Sequence, residues 1–262
     1  VDSSSPLTAF LCSGRSRIDF QPGAWAVICA GIGSTRVRLC EAEIELLRGD
    51  LCIPDHYVGG SCAGSDRSFH IVFAGGMKAW SEAFSARGEF DGLLPALHRD
   101  NPASRLMLRA ARECARKHRN AALDLLGEAV ARIQAEFDPM IARCPGSRRS
   151  RRVAVFARLQ RVRNHIELHF HTDLDVEELA HMASYSLSHF ITTFRQVFQE
   201  TPYATISRMR MQHAQALLAS PVLRMSEIGQ AIGYQSRTSF WRVVRRHFGS
   251  SPSMVRSRIA QA

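Results

Sequence analysis

Ser184-Tyr185-Ser186-Leu187-Ser188-His189-Phe190-Ile191-Thr192-Thr193-Phe194-Arg195-Gln196-Val197-Phe198 returns, fifty residues on, as Gly233-Tyr234-Gln235-Ser236-Arg237-Thr238-Ser239-Phe240-Trp241-Arg242-Val243-Val244-Arg245-Arg246-His247-Phe248. A shift of 50 superimposes Ser186 on Ser236, Phe190 on Phe240, Arg195 on Arg245, Phe198 on Phe248 and Pro202 on Pro252. A shift of 49 aligns Leu179 with Ile228 and Tyr185 with Tyr234, so the second copy holds one extra residue at its turn. Two copies of one helical unit are therefore present.

Each copy reads as a short helix, a turn and a longer helix. In the first, Asp175 is placed to cap Val176 to Ala183, and Glu177 and Glu178 favour the positive helix end. Ser186 is the expected cap of the second helix, from Leu187 to about Phe198. In the second copy the short helix spans Ser226 to Ile232, and Ser236 caps a helix to about His247. Phe190, Phe194 and Phe198 recur at four-residue spacing and form a core face. That leaves Ser188, Ile191, Thr192 and Arg195 outward in the first copy, and Arg237, Thr238, Trp241, Arg242 and Arg245 in the second. Trp241 is expected to be exposed or packed on phosphate. Thr201-Pro202 opens a joining helix to about Ala219, roughly 27 Å long, suited to holding two such heads about one DNA turn apart.

Charge points the same way. Of the net +10, residues 151–262 carry +8, with 15 Lys+Arg against 7 Asp+Glu, whereas residues 1–150 carry +2. A charge concentrated in one segment suits a polyanion, because basic groups release phosphate counterions. It also argues against a purely structural bundle or a small-molecule module without DNA output.

The first ninety residues read as strands and turns. Glu41 to Leu46 alternates strictly, with Ala42, Ile44 and Leu46 on one side; Arg36 and Arg38 flank Val37, and Phe69, Ile71 and Phe73 keep the same period. Gly49-Asp50, Pro54-Asp55 and Gly59-Gly60 supply turns, which together suggest a small antiparallel barrel or sandwich. Ala103 to Arg119 and Ala121 to Phe137 read as two helices, the second ended by Asp138-Pro139. Their apolar positions, including Leu123, Leu126, Val130 and Ile133, suit either the barrel or a second subunit. The run 141–152, with four arginines from Cys144 to Arg152, reads as a solvated tether.

The C-terminal pattern resembles the AraC/XylS family of transcription regulators. The resemblance rests on Glu178-Leu179-Ala180, Ser186 with Phe190 and Phe194, Arg210 with Ala214, and Leu217-Leu218. It continues with Ile228, Gly233-Tyr234, Ser239-Phe240 and the closing Phe248-Gly249-x-x-Pro252-x-x-x-Arg256, covering about residues 160–258. It implies an α+β chain, with an N-terminal cupin-like β-barrel and helices followed by an all-α domain of two helix-turn-helix units joined by a linker helix. The expected limits are 1–140 for a sensor and dimerisation domain, 141–152 for the tether and 153–262 for the DNA-binding domain. The stretch Leu47-x-Gly49-Asp50-Leu-Cys-Ile-Pro54-x-His56 is similar to the turn and strand such barrels carry. The chain departs from the family pattern at Ser184, Gln199 and Gly229; a non-glycine in a left-handed position costs about 1 kcal/mol, which predicts a looser first unit.

The expected function is a sequence-specific DNA-binding regulator, an activator, acting on double-stranded promoter DNA with RNA polymerase as a further partner. A small-molecule effector and a homodimer through the first domain are expected from the same resemblance. Inward strand residues Trp25, Val27, Val37, Leu39, Phe69 and Ile71 would line an effector pocket, and fit a plain core equally well. No cofactor or metal is expected, since His56 and His70 stand isolated and the seven cysteines form no Cys-x-x-Cys pair. Reduced cytoplasmic thiols are the expectation for those cysteines, with a redox sensor as the alternative. The start, Val-Asp-Ser-Ser-Ser-Pro, lacks the pattern of a secretory signal, and no apolar run suits a membrane helix, so cytoplasm is the expected location. The rival class is a DNA-alkylation repair protein with a methyl-accepting cysteine, whose chemistry needs an activated thiolate.

Overall fold

The computed structural model describes residues 1–39, 42–84 and 92–259. It divides into two compact units, Val1–Asn164 and His165–Ala262. The first contains β1 (Thr8–Ser13), β2 (Arg17–Phe20), β3 (Ala24–Ile32), β4 (Thr35–Leu39), β5 (Ala42–Leu46), β6 (Leu51–Ile53), β7 (Gly60–Gly64) and β8 (Phe69–Gly76). There follow α1 (Met77–Phe84), β9 (Ala96–His98), α2 (Ala103–Ala115), α3 (Arg119–Ala135), α4 (Asp138–Arg143) and α5 (Arg149–His169), inside which the division falls.

The strands form two antiparallel sheets, ordered β1-β8-β3-β6-β9 and β2-β7-β4-β5. Among the described residues no strand joins them, so the expected closed cupin-like barrel is replaced by two open sheets. The physical reason lies in β3 and β8, which are buried on both faces along nearly their whole length. Val27 lies opposite Phe73 and Cys29 opposite Ile71, and this face packs with Trp80, Met107, Leu126 and Ile133 of the helices. The other face approaches the four-stranded sheet: Gly64 of β7 lies so near Ser68 and His70 that a Cβ there would come within 2.0 Å of the Ser68 hydroxyl. A sheet covered by helices on one side cannot enclose a hollow on that side.

The alternation read at Val37 and at Ala42 to Leu46 holds: Val37, Ile44 and Leu46 are buried and Arg36, Arg38, Glu43 and Glu45 exposed, while Glu41 lies outside the described residues. The α3 face offered to a second subunit is consumed internally, with Leu126, Ala129, Val130 and Ile133 in the helix–sheet core and Leu123 half-buried. Pro139 starts a helix as well as stopping one, sitting in the first turn of α4. The stretch 141–152, read as a tether, holds the end of α4 and the first turn of α5. Burial of Val153, Val155, Phe156 and Leu159 packs α5 into the first unit, and Arg161 reaches Asp55 at 2.5 Å.

His70 pairs with Cys12 across the β1–β8 ladder, is fully buried, and among the described residues has no hydrogen-bond partner on either ring nitrogen. Desolvation pushes its pKa below the usual histidine value of 6.5. The unfolded chain then binds a proton more readily than the folded one, so stability is full above that value and falls as pH drops through it. Denaturant midpoints measured from pH 8 to pH 5 should decline, and His70→Leu should flatten the decline by at most about 1.4 kcal/mol per pH unit. An unchanged slope would remove His70 as its source.

Candidate nucleic-acid interface

The second unit is helical throughout: the end of α5, then α6 (Val176–Met182), α7 (Leu187–Phe198), α8 (Pro202–Leu218), α9 (Met225–Ala231), α10 (Arg237–Phe248) and α11 (Pro252–Ile259). Local chemistry sets most of these boundaries. Asp175 accepts from the Glu177 N–H at 2.9 Å, Thr201 from the Ala204 N–H at 3.2 Å, and Ser236 from the Ser239 N–H at 3.1 Å. Ser186 has the extended backbone of a cap but makes no side-chain cap bond, contrary to the sequence reading. The Glu227 carboxylate accepts from the Arg224 N–H at 2.7 Å and closes the start of α9.

The repeat is visible in the backbone. Ser184 and Gly233 both turn left-handed, at φ +59° and +87°, and so do the residues after α7 and α10, Gln199 at +62° and Gly249 at +70°. The first copy thus holds two side chains in conformations that the second gives to glycine.

Phe190 and Phe194 are fully buried beneath α7, and Phe240 with Val244 beneath α10. What remains outside is largely the predicted set. Ser188, Thr192 and Arg195 are exposed on α7, as are Arg237, Thr238, Arg242 and Arg245 on α10. Ile191 is half-buried, and the Thr192 hydroxyl donates to the Ser188 carbonyl at 2.9 Å. Trp241 is not free: it packs half-buried against the α8–α11 core, with the Arg237 guanidinium 5.3 Å from its ring centroid. Its indole N–H is buried without a hydrogen-bond partner among the described residues.

Residues 179–258 match the protein family described as a helix-turn-helix domain. The MmsAB operon regulatory protein of Pseudomonas aeruginosa is 31% identical over 93 residues, 36% of this chain and 30% of that one. The RCS-specific HTH-type transcriptional activator RclR of Escherichia coli is 35% identical over 86 residues, 33% of this chain and 30% of its own length. Residues 179–258 are an AraC-type helix-turn-helix domain. This chain spans about 30% of the length of those two relatives. Among solved structures, the DNA-binding domain of AdpA in complex with a target DNA is 30% identical, covering 38% of this chain and 91% of that one, with a TM-score of 0.37.

Not every arginine of this helix-turn-helix domain is free to meet a ligand, and charge alone could not sort them. Arg210 donates to the carbonyls of Phe170 and Thr172, both at 2.7 Å, and lies over the Tyr234 ring at 5.1 Å. Arg208 grips Glu200, which pushes its pKa up, and Arg256 donates to the Leu223 carbonyl at 2.6 Å. These side chains brace the domain. Exposed Arg246, on α10, was missed in the outward set although it lies only about 40° around the helix from Arg242.

In the first unit, Trp25, Val27, Phe69 and Ile71 pack together in the helix–sheet core, whereas Val37 and Leu39 lie on the other sheet. The six residues therefore do not line one pocket. A groove of about 860 Å3 opens elsewhere, lined by Leu7, Phe73, Lys78, Ala83, Leu123 and Leu126 among others. Burial pushes the Cys29, Cys52 and Cys62 thiols up to about 12 and Cys144 to about 11, the direction opposite to nucleophile activation. Cys40 lies outside the described residues. Among the described residues no group of three or more His, Cys, Asp and Glu is placed to hold a metal ion, and no helix is long and apolar enough to cross a membrane.

Gln199→Gly should stabilise the chain by about 1 kcal/mol, and Gly249→Ala should destabilise it by about the same amount. Urea midpoints of both variants beside the parent decide this; equal midpoints would show that neither cap stores strain.

Proposed function

We propose that this protein is a sequence-specific regulator of transcription, an activator, that binds promoter DNA through its helix-turn-helix domain. The observation that carries the reading is α10: a capped twelve-residue helix, anchored by Phe240 and Val244, that exposes Arg237, Thr238, Arg242 and Arg245. Such a helix fits the major groove of B-DNA, where the paired donors of arginine match O6 and N7 of guanine. The α7 face supports positioning more than base reading, since it offers a single exposed arginine and hydroxyls, one of them already bonded to its own helix.

The first unit is proposed to sense a small molecule in the groove beside α1 and α3 rather than among the six strand residues first chosen. RNA polymerase and a second copy of the chain complete the proposed set of partners. A DNA-repair methyl acceptor is the weaker reading, because the described buried thiols are pushed away from the thiolate.

Binding-site selection with the full chain tests the reading. Arg242→Ala should cost about 1–3 kcal/mol on the selected site and relax preference at one or two base pairs. Arg245→Ala, nearly a turn further along, should weaken selected and random duplexes alike and flatten the salt dependence by about one unit. Parental base preferences in Arg242→Ala would place another surface in the groove.

A further inference from the structure

The face of α2 turned away from the core carries Arg105, Arg109, Arg112 and Arg116. At 3.6 residues per turn the four fall within an arc of about 60°. Opposite them Ala103, Leu106, Met107, Ala110 and Ala111 are buried, so the arginine row faces solvent. Arg116 pairs with Glu113 at 3.1 Å, but Arg105, Arg109 and Arg112 have no ion-pair partner among the described residues. Like charges three and four residues apart destabilise a helix. The cost is concentrated here although residues 1–150 as a whole carry only +2.

We infer that this arginine face of α2 binds the phosphate backbone of duplex DNA, adding a sequence-independent contact to that of the helix-turn-helix domain. The inference rests on the DNA-binding reading above. From Arg105 to Arg112 the row runs about 10 Å, at 1.5 Å per residue. One strand of a duplex places a phosphate every 3.4 Å or so along the axis, so a row of that length meets about three of them. Guanidinium groups donate in pairs to phosphate oxygens and keep their charge at any physiological pH. No side chain of the row needs to reach a base, so its contribution is affinity and position rather than specificity.

The test compares the full-length triple variant Arg105→Gln, Arg109→Gln and Arg112→Gln with a charge-matched control, Arg36→Gln, Arg48→Gln and Arg67→Gln. Affinities for a selected duplex and for a random duplex of equal length are measured over a range of salt concentrations. The α2 variant should flatten the slope of log affinity against log salt by about two to three units on both duplexes, with base preferences unchanged. The control should lose less than one unit. The thermal midpoint of the free α2 variant should equal or exceed that of the parent, because repulsion along the helix is relieved. If the parent binds DNA and the α2 variant tracks the control, the inference falls and the DNA reading stands. A parent that binds no duplex overturns both. Parental DNA binding combined with lost retention on immobilised polyglutamate would assign the face to an acidic protein instead, and overturns the inference.

Discussion

Burial of Phe190 and Phe194 under α7, and of Phe240 under α10, decides what the second unit shows to its surroundings. A twelve-residue helix anchored by aromatic rings on one side has no freedom to roll, so its remaining face is fixed by the same contacts that hold the domain together. The left-handed residues that follow these helices, Gln199 and Gly249, end them abruptly and aim the chain into α8 and α11. Core packing and presentation of the arginine face are therefore one property, and a substitution that loosens the core also blurs the interface.

Legibility in the sequence followed the range of the interactions. Helices α6 to α10 of the second unit were readable almost to the residue, because capping, turn chemistry and a 3.6-residue period act within one or two turns of chain. The repeat checked each assignment twice. Strand pairing in the first unit is non-local, and alternation identifies two faces without saying what covers each. Trp25, Val27 and Ile71 were correctly read as inward, yet inward here means toward helices that lie far along the chain. Two sheets and the packing of α3 against them stood in the sequence only as alternatives, to a barrel and to a second subunit, while the helical start of α5 was read as a tether. Trp241 was misjudged on a finer scale: a ring that large can touch the core from a position whose Cβ points half outward.

Arginines show how far composition carries an argument. The +8 of residues 151–262 pointed correctly to a cationic surface, yet Arg208, Arg210 and Arg256 spend their donors on carbonyls and a carboxylate within the second unit. Residues 1–150, at a net +2, nonetheless concentrate on one helix face three arginines that have no ion-pair partner among the described residues. Net charge thus counts groups without weighing how many are already engaged, and only the distribution of partners separates braces from free donors.

The placement of β1 has a consequence for how this protein ages. Its six residues pair Thr8 with Ala74 through Ser13 with Phe69, covering the outer edge of β8, the most continuously apolar strand with β3. A protease that nicked the turn after Ser13 and released that ribbon would bare a long, flat, hydrophobic edge with its backbone donors and acceptors unsatisfied, the kind of surface that recruits further strands. Precipitation of this chain would then begin at the bared edge of β8, with the helix-turn-helix domain still folded.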